Sequence, residues 1–420
     1  MLTARLALAF ALTVLGGVGF AGPAAAAAPT YVNKRVTALS AATLLGSAPA
    51  RLIDPRRQRA ALRFRRYSRV LFAAWALSQI VAFFLLWVSG YAARLRELVR
   101  RAIRPVVAMR FAYGVALAYV AGLASLPSAF ARYRIDQSFG LTVQSTWEWM
   151  RDGFVRTTLE ALLVGAIVAF IFALVDRTRL WYAYGAAGLA VLTLVMAFLE
   201  PVVVAPLFNH FAPLPVRAPL YAPLGAMARR AGIGEAPVVV ANFSRRSRAI
   251  VADISGFGPT KRIVLGDSLL ADATPGEVLF LTAREFGHYE HADDFRLSLF
   301  WTFLFIVCTA LGVLCADRVP FRRDDDPLAR LSLVLGFMGL FALVCTPLYN
   351  AYSRNLESRA DAYALALTHD RASAVRAFVR ITDETLAPLC PARVVRLYFY
   401  NSPPLGTRIA RAAARPDPCS

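Results

Sequence analysis

The chain has 420 residues, a formal net charge of +20, a mean hydropathy of +0.51 and only 18% charged residues. A water-soluble protein carries about 25% charged residues, so the composition argues against an ordinary soluble enzyme and for a membrane protein. The basic residues are almost all arginine and cluster beside apolar blocks, at Arg51–Arg69 and Arg94–Arg110. That placement suits lipid headgroups, and the absence of any groove-reading motif argues against nucleic acid as a partner.

In chain order, residues 1–28 carry Arg5, an apolar stretch and a run of small residues. They read either as a secretory signal peptide or as a first membrane helix. Six later blocks reach the roughly 20 residues needed to cross a bilayer: Leu71–Ala92, Phe111–Phe130, Thr157–Val175, Leu180–Leu199, Leu297–Ala316 and Leu331–Leu348. Each is nearly free of charge, because charge is costly within a membrane. Between the fourth and fifth lies a mixed segment, 201–296, with strand-like runs PVVVANF and RIVLGDSLL. It also holds an expected helix from Thr274 to about Ala292, with Glu277 in its first turn. Asn350–Leu367 reads as a helix leaving the membrane, and the tail ends in a loose, Pro-containing stretch.

Two spans separate 201–296 from 350–420, so both lie on one membrane side and can build one site. The Arg51–Arg69 cluster falls on that side too, and the positive-inside rule then places the site in the cytoplasm. A cleaved signal peptide would reverse this, which favours a retained first helix. Cys308, Cys315 and Cys345 lie in apolar blocks and read as small hydrophobes. No C-x-x-C spacing exists, and a Cys390–Cys419 disulfide is open to the chain without being supported by the spacing.

The chemistry concentrates in LTAREFGHYEHADD, 281–294. Helical spacing puts Arg284 and His288 on one face, with Glu285 beside Arg284. In the zinc-protease pattern H-E-x-x-H the two histidines bind the metal and the Glu is the general base. Here arginine holds the first position, and a guanidinium has no lone pair for a metal. In NAYSRNLESRADAYAL, 350–365, Glu357 and Asp361 lie one turn apart on one face. A Glu there could be a third ligand, and the Asp could orient a ligand histidine. A guanidinium at 284 can supply the cation that zinc would bring and hold the facing carboxylates together.

These strings, with YRIDQSFGLTVQSTWEWMRDG, PLFNHFAPL, SGFGPTKRIVLGDSLL and FYNSPPLGTRI in the same order around the same spans, resemble the type I CAAX prenyl endopeptidases and HtpX-like membrane metallopeptidases. The resemblance covers most of the chain from about Tyr133. It implies a mainly α, polytopic fold with six to seven transmembrane helices and a small α+β zincin-like domain. That domain would be inserted between spans and completed by the C-terminal segment. The corresponding divisions are 29–200 for a four-span membrane domain, 201–296 for the zincin-like segment, 297–349 for two spans and 350–420 for the remainder.

Carried over by motif, the resemblance implies Glu285 as catalytic base, His288 and Glu357 as zinc ligands, and Asp361 as their outer partner. Three positions depart from it. Arg284 replaces a zinc histidine, Asp253 stands in the strand expected to align substrate, and Ser402 replaces a histidine of the C-terminal motif. The expected function is that of a CAAX-protease-type membrane metalloendopeptidase with impaired or lost proteolysis. The alternative is a non-catalytic scaffold or chaperone for hydrophobic, lipidated or membrane-protein peptides. Zinc is the implied cofactor, membrane lipids are further partners, and a bacterial plasma membrane is the expected location.

Overall fold

A computed structural model of the chain describes residues 33–246, 250–256, 258–320 and 326–420. The expectation for residues 1–28 lies outside them. Among the described residues, five helices are long and apolar enough to cross a membrane. They are α1 (Pro55–Val88), α3 (Val106–Ser138), α4 (Thr146–Arg177), α9 (Asp293–Arg318) and α10 (Leu331–Thr368), with the amphipathic α2 (Tyr91–Ala102) joining α1 to α3. The fourth apolar block forms α5 (Trp181–Leu199), a 19-residue helix followed by a π-helical turn at Glu200–Val204. The chain is thus a polytopic membrane protein.

Several helices outrun the bilayer. At 1.5 Å per residue, α1 and α10 measure about 50 and 57 Å, well over the roughly 30 Å of hydrocarbon. The N-terminal half of α1 carries the arginine cluster, and the C-terminal part of α10 carries Glu357 and Asp361. One apolar core lies in the bundle, around Tyr113, Leu117, Val168 and Val334. In it Gly114 and Gly165 bring α3 and α4 together, and a Cβ on Gly114 would fall 2.9 Å from the Gly165 Cα. A second core lies outside the membrane, around Leu224, Ile263, Phe280, Phe286 and Phe378.

Residues of α6 (Tyr221–Arg230), β2 (Val238–Ala241), β3 (Ala252–Ser255) and β4 (Arg262–Gly266) pack into that second core, and β1 (Phe211–Pro213) borders it at the edge of the sheet. The sheet runs β1-β2-β4-β3, with β2 and β4 parallel and the outer pairs antiparallel. RIVLGDSLL, expected to be strand-like, ends as a strand at Gly266 and continues as helix α7 (Asp267–Asp272). Next comes α8 (Pro275–Glu290), close to the expected helix. Its start is fixed by Pro275 at the first position and a reciprocal cap between Thr274 and Glu277. The chain finishes with α11 (Arg371–Glu384), α12 (Arg393–Phe399) and α13 (Leu405–Ala412).

One sequence expectation is corrected. The tail is not loose: Cys390 and Cys419 form a disulfide, and Thr407 Oγ1 donates to Asp417 Oδ1 at 2.9 Å. Arg246 Nε donates to Asp152 Oδ2 at 2.6 Å and its Nη1 to Asn209 Oδ1 at 3.0 Å. This ties the sheet to the start of α4.

Candidate functional site

α8 lies against the membrane-distal part of α10, and the approach is close because residue 287 is glycine. A Cβ there would stand 3.1 Å from the Tyr363 side chain and 3.2 Å from the Ala360 Cα. This contact brings Arg284, Glu285 and His288 on one helix up to Glu357 and Asp361 on the other.

Arg284 sits at the centre. Its Nη2 donates to Glu357 Oε2 at 2.6 Å, Nε to Asp361 Oδ1 at 2.8 Å and Nη1 to Glu285 Oε1 at 3.2 Å. The side chain is 11% exposed. Burial alone would lower its pKa, but the charges of Glu357, Asp361 and Glu285 outweigh burial and hold it above the usual guanidinium value. A planar fork of donors suits three separated carboxylates, as a point-like ammonium would not.

A second arginine, Arg408 on α13, completes the cluster. Its Nε and Nη2 donate to the two oxygens of Asp361 at 2.8 and 2.6 Å, and Nη2 lies 3.6 Å from Glu357 Oε2. Burial raises the Glu285 carboxyl to about 8, and nearby Asp253 and Glu357 add to the rise while Arg284 opposes it. Two guanidiniums thus stand among the Glu285, Glu357 and Asp361 carboxyl groups.

His288 stands at the rim. Its Nδ1 donates to Asp293 Oδ2 at 3.0 Å, and its Nε2 lies 3.8 Å from Glu357 Oε1. Asp361, expected to orient a ligand histidine, instead pairs with both arginines, and Asp293 orients the imidazole. His291 turns away, donating from Nδ1 to the Gly287 carbonyl at 2.7 Å. Asp253 lies exposed on β3, an edge strand with no outer strand partner among the described residues. Ser402 is half-buried in the turn leading to α13. Arg408 and Asp293 are functional neighbours that the sequence motifs do not mark, although both stand within FYNSPPLGTRI and LTAREFGHYEHADD.

A catalytic zinc needs three protein ligands and one open position. The donors facing the pocket do not fit it, because Glu357 is engaged by Arg284 and a fixed guanidinium fills the space between the helices. No group of three His, Cys, Asp or Glu side chains is arranged to hold a metal ion among the described residues.

The model for peptidase family M48 matches residues 219–415, and the model for the CAAX prenyl protease N-terminal region, five membrane helices, matches residues 49–210. The chain belongs to the CAAX prenyl protease type of peptidase family M48. An M48 relative, the uncharacterized metalloprotease YhfN of Bacillus subtilis, is 26% identical over 87% of each chain. The CAAX prenyl protease 1 homolog of Arabidopsis thaliana is 29% identical over 67% of this chain and 68% of its own. The fold of this M48 chain is also that of the solved S. mikatae Ste24p, with a TM-score of 0.73 at 20% identity over 90% of this chain and 96% of that one.

Proposed function

We propose that this M48 member has lost zinc-dependent proteolysis and holds hydrophobic, lipidated or membrane-protein segments without cutting them. The observation that carries the reading is the three-way engagement of Arg284 with Glu285, Glu357 and Asp361. A guanidinium stands where the M48 motif calls for a zinc ligand, and it neutralises the carboxylates a metal would otherwise compensate. Glu285 retains the position of the general base, but burial favours its protonated form.

Peptide capture is supported by β3, whose open edge could add a strand of a bound segment through main-chain hydrogen bonds. The relatives' printed name, CAAX prenyl protease, points to lipid-bearing C-terminal segments as one class to try. In lipid nanodiscs with added zinc, fluorescent apolar and lipidated peptides are expected to bind and remain intact. Peptide cleavage that disappears in Glu285→Gln would favour the second reading, an active metalloendopeptidase.

A further inference from the structure

The disulfide between Cys390 and Cys419 spans a sequence separation of 29, with Cα atoms 5.1 Å apart. It lies at the surface of the extramembrane core, with Cys390 exposed and Cys419 half-buried, and it is seated on α13 at Gly406. A Cβ on Gly406 would fall 2.7 Å from the Cys419 Sγ and 3.0 Å from the Cys390 Sγ, so the bridge needs glycine beneath it. Arg396 Nη1 also donates to the Cys419 carbonyl at 3.2 Å. The remaining cysteines, Cys308, Cys315 and Cys345, all lie on the apolar helices α9 and α10. The water-facing parts of the sequence therefore contain no other thiol.

Stable disulfides belong to oxidising compartments and are rare where the cell keeps thiols reduced. We propose that the peptidase-like half of this chain lies on the outer, oxidising side of its membrane. Its site would then receive polypeptide segments on that side: exported chains or the outward loops of membrane proteins. The bridge forms by exchange with a disulfide-carrying protein oxidant. The two thiols lose two protons and two electrons, and the donor's disulfide becomes a dithiol.

The charge pattern that suggested a cytoplasmic site loses its force in three dimensions. Arginines of the Arg51–Arg69 cluster are used in folding. Arg57 Nε donates to the Asp383 carbonyl at 2.8 Å, and Arg65 donates to the Leu386 and Thr385 carbonyls at 3.2 Å. These contacts also fix the cluster on the same side as the peptidase-like half. On the opposite side, Arg94, Arg96, Arg100 and Arg101 sit on α2, in a short connection between two spans. Short connections carry the positive-inside signal, whereas large domains cross largely regardless of charge. The inference is independent of the state of Arg284.

The test uses the full chain in bacterial cells with an intact plasma membrane. Cells are acid-quenched, alkylated with N-ethylmaleimide, reduced, and labelled with a PEG-maleimide. Separately, alkaline phosphatase or green fluorescent protein is fused after Ser420. The expected result is two PEG additions that require reduction, an active phosphatase and a dark fluorescent fusion. Thiols already blocked at the quench would overturn the inference. So would a fluorescent fusion with inactive phosphatase, even with the bridge present. Peptide cleavage or zinc binding by the chain would leave this inference standing while contradicting the loss of proteolysis.

Discussion

Arg284 Nη2 stands 2.6 Å from Glu357 Oε2, an ion pair that joins α8 to α10 at the centre of the carboxylate cluster. This pair and its neighbours do for the two helices what a shared ion would do: they cancel like charges across a narrow interface.

Removing that cation should be costly. Breaking a buried, hydrogen-bonded ion pair from one side costs about 3–5 kcal/mol. Arg284→Ala should therefore lower stability by about that amount in denaturant melts of the detergent-solubilised protein. Arg284→Lys should recover less than half, because one ammonium cannot reach three carboxylates. Equal stability of Arg284→Ala and wild type would show that the pocket does not need the charge.

Arg284 and Arg408 share Asp361, so their effects should not add. A double-mutant cycle with Arg284→Gln and Arg408→Gln should give a coupling of about 0.5–3 kcal/mol, the range for residues in one network. Additive losses would mean that the two arginines act separately.

Gly287 sets the spacing between the helices. Gly287→Ala should cost about 1–3 kcal/mol, as expected for adding atoms at a tight contact, and Gly287→Val should cost more. A neutral Gly287→Val in thermal melts would contradict the close approach of α8 to the Ala360 backbone.

Stability should fall as pH rises, through a pair of buried acids remote from the site. Burial pushes Asp383 up to about 7 and Glu384 up to about 8. Asp383 faces Asn33, Asp54 and Arg57, while Glu384 faces Arg380, Asp272 and Glu277. Both values exceed those of the unfolded chain, so the native state binds more protons. Their contribution is full below about pH 4 and is lost as pH climbs to about 8, at up to roughly 1.4 kcal/mol per pH unit and proton. Thermal midpoints from pH 5 to 9 should show this fall, and Asp383→Asn with Glu384→Gln should make it shallower, leaving the share that the raised Glu285 carboxyl contributes. An unchanged slope in the double variant would assign the fall elsewhere.

What was legible in the sequence was whatever depends on near neighbours. The spans show as charge-free blocks because a charge in hydrocarbon is costly, and α8 shows through its Thr274–Glu277 cap. The shared face of Arg284 and His288 follows from helical spacing alone. The resemblance added Glu357 and Asp361 to the same place. Hidden were the pairings made by folding. Arg408 reaches Asp361 across 47 positions, and Arg380 reaches Glu277 across 103. The disulfide was equally invisible, because spacing alone does not say which cysteines meet. RIVLGDSLL was read as one run because nothing local announces that Gly266 ends the strand and Asp267 begins a helix.

Metal analysis of the purified full-length chain, beside its Arg284→His variant, tests the central claim most directly. The account predicts substoichiometric zinc in the wild type and close to one zinc per chain in Arg284→His, where an imidazole replaces the guanidinium and frees Glu357. One tightly held zinc per wild-type chain would contradict it.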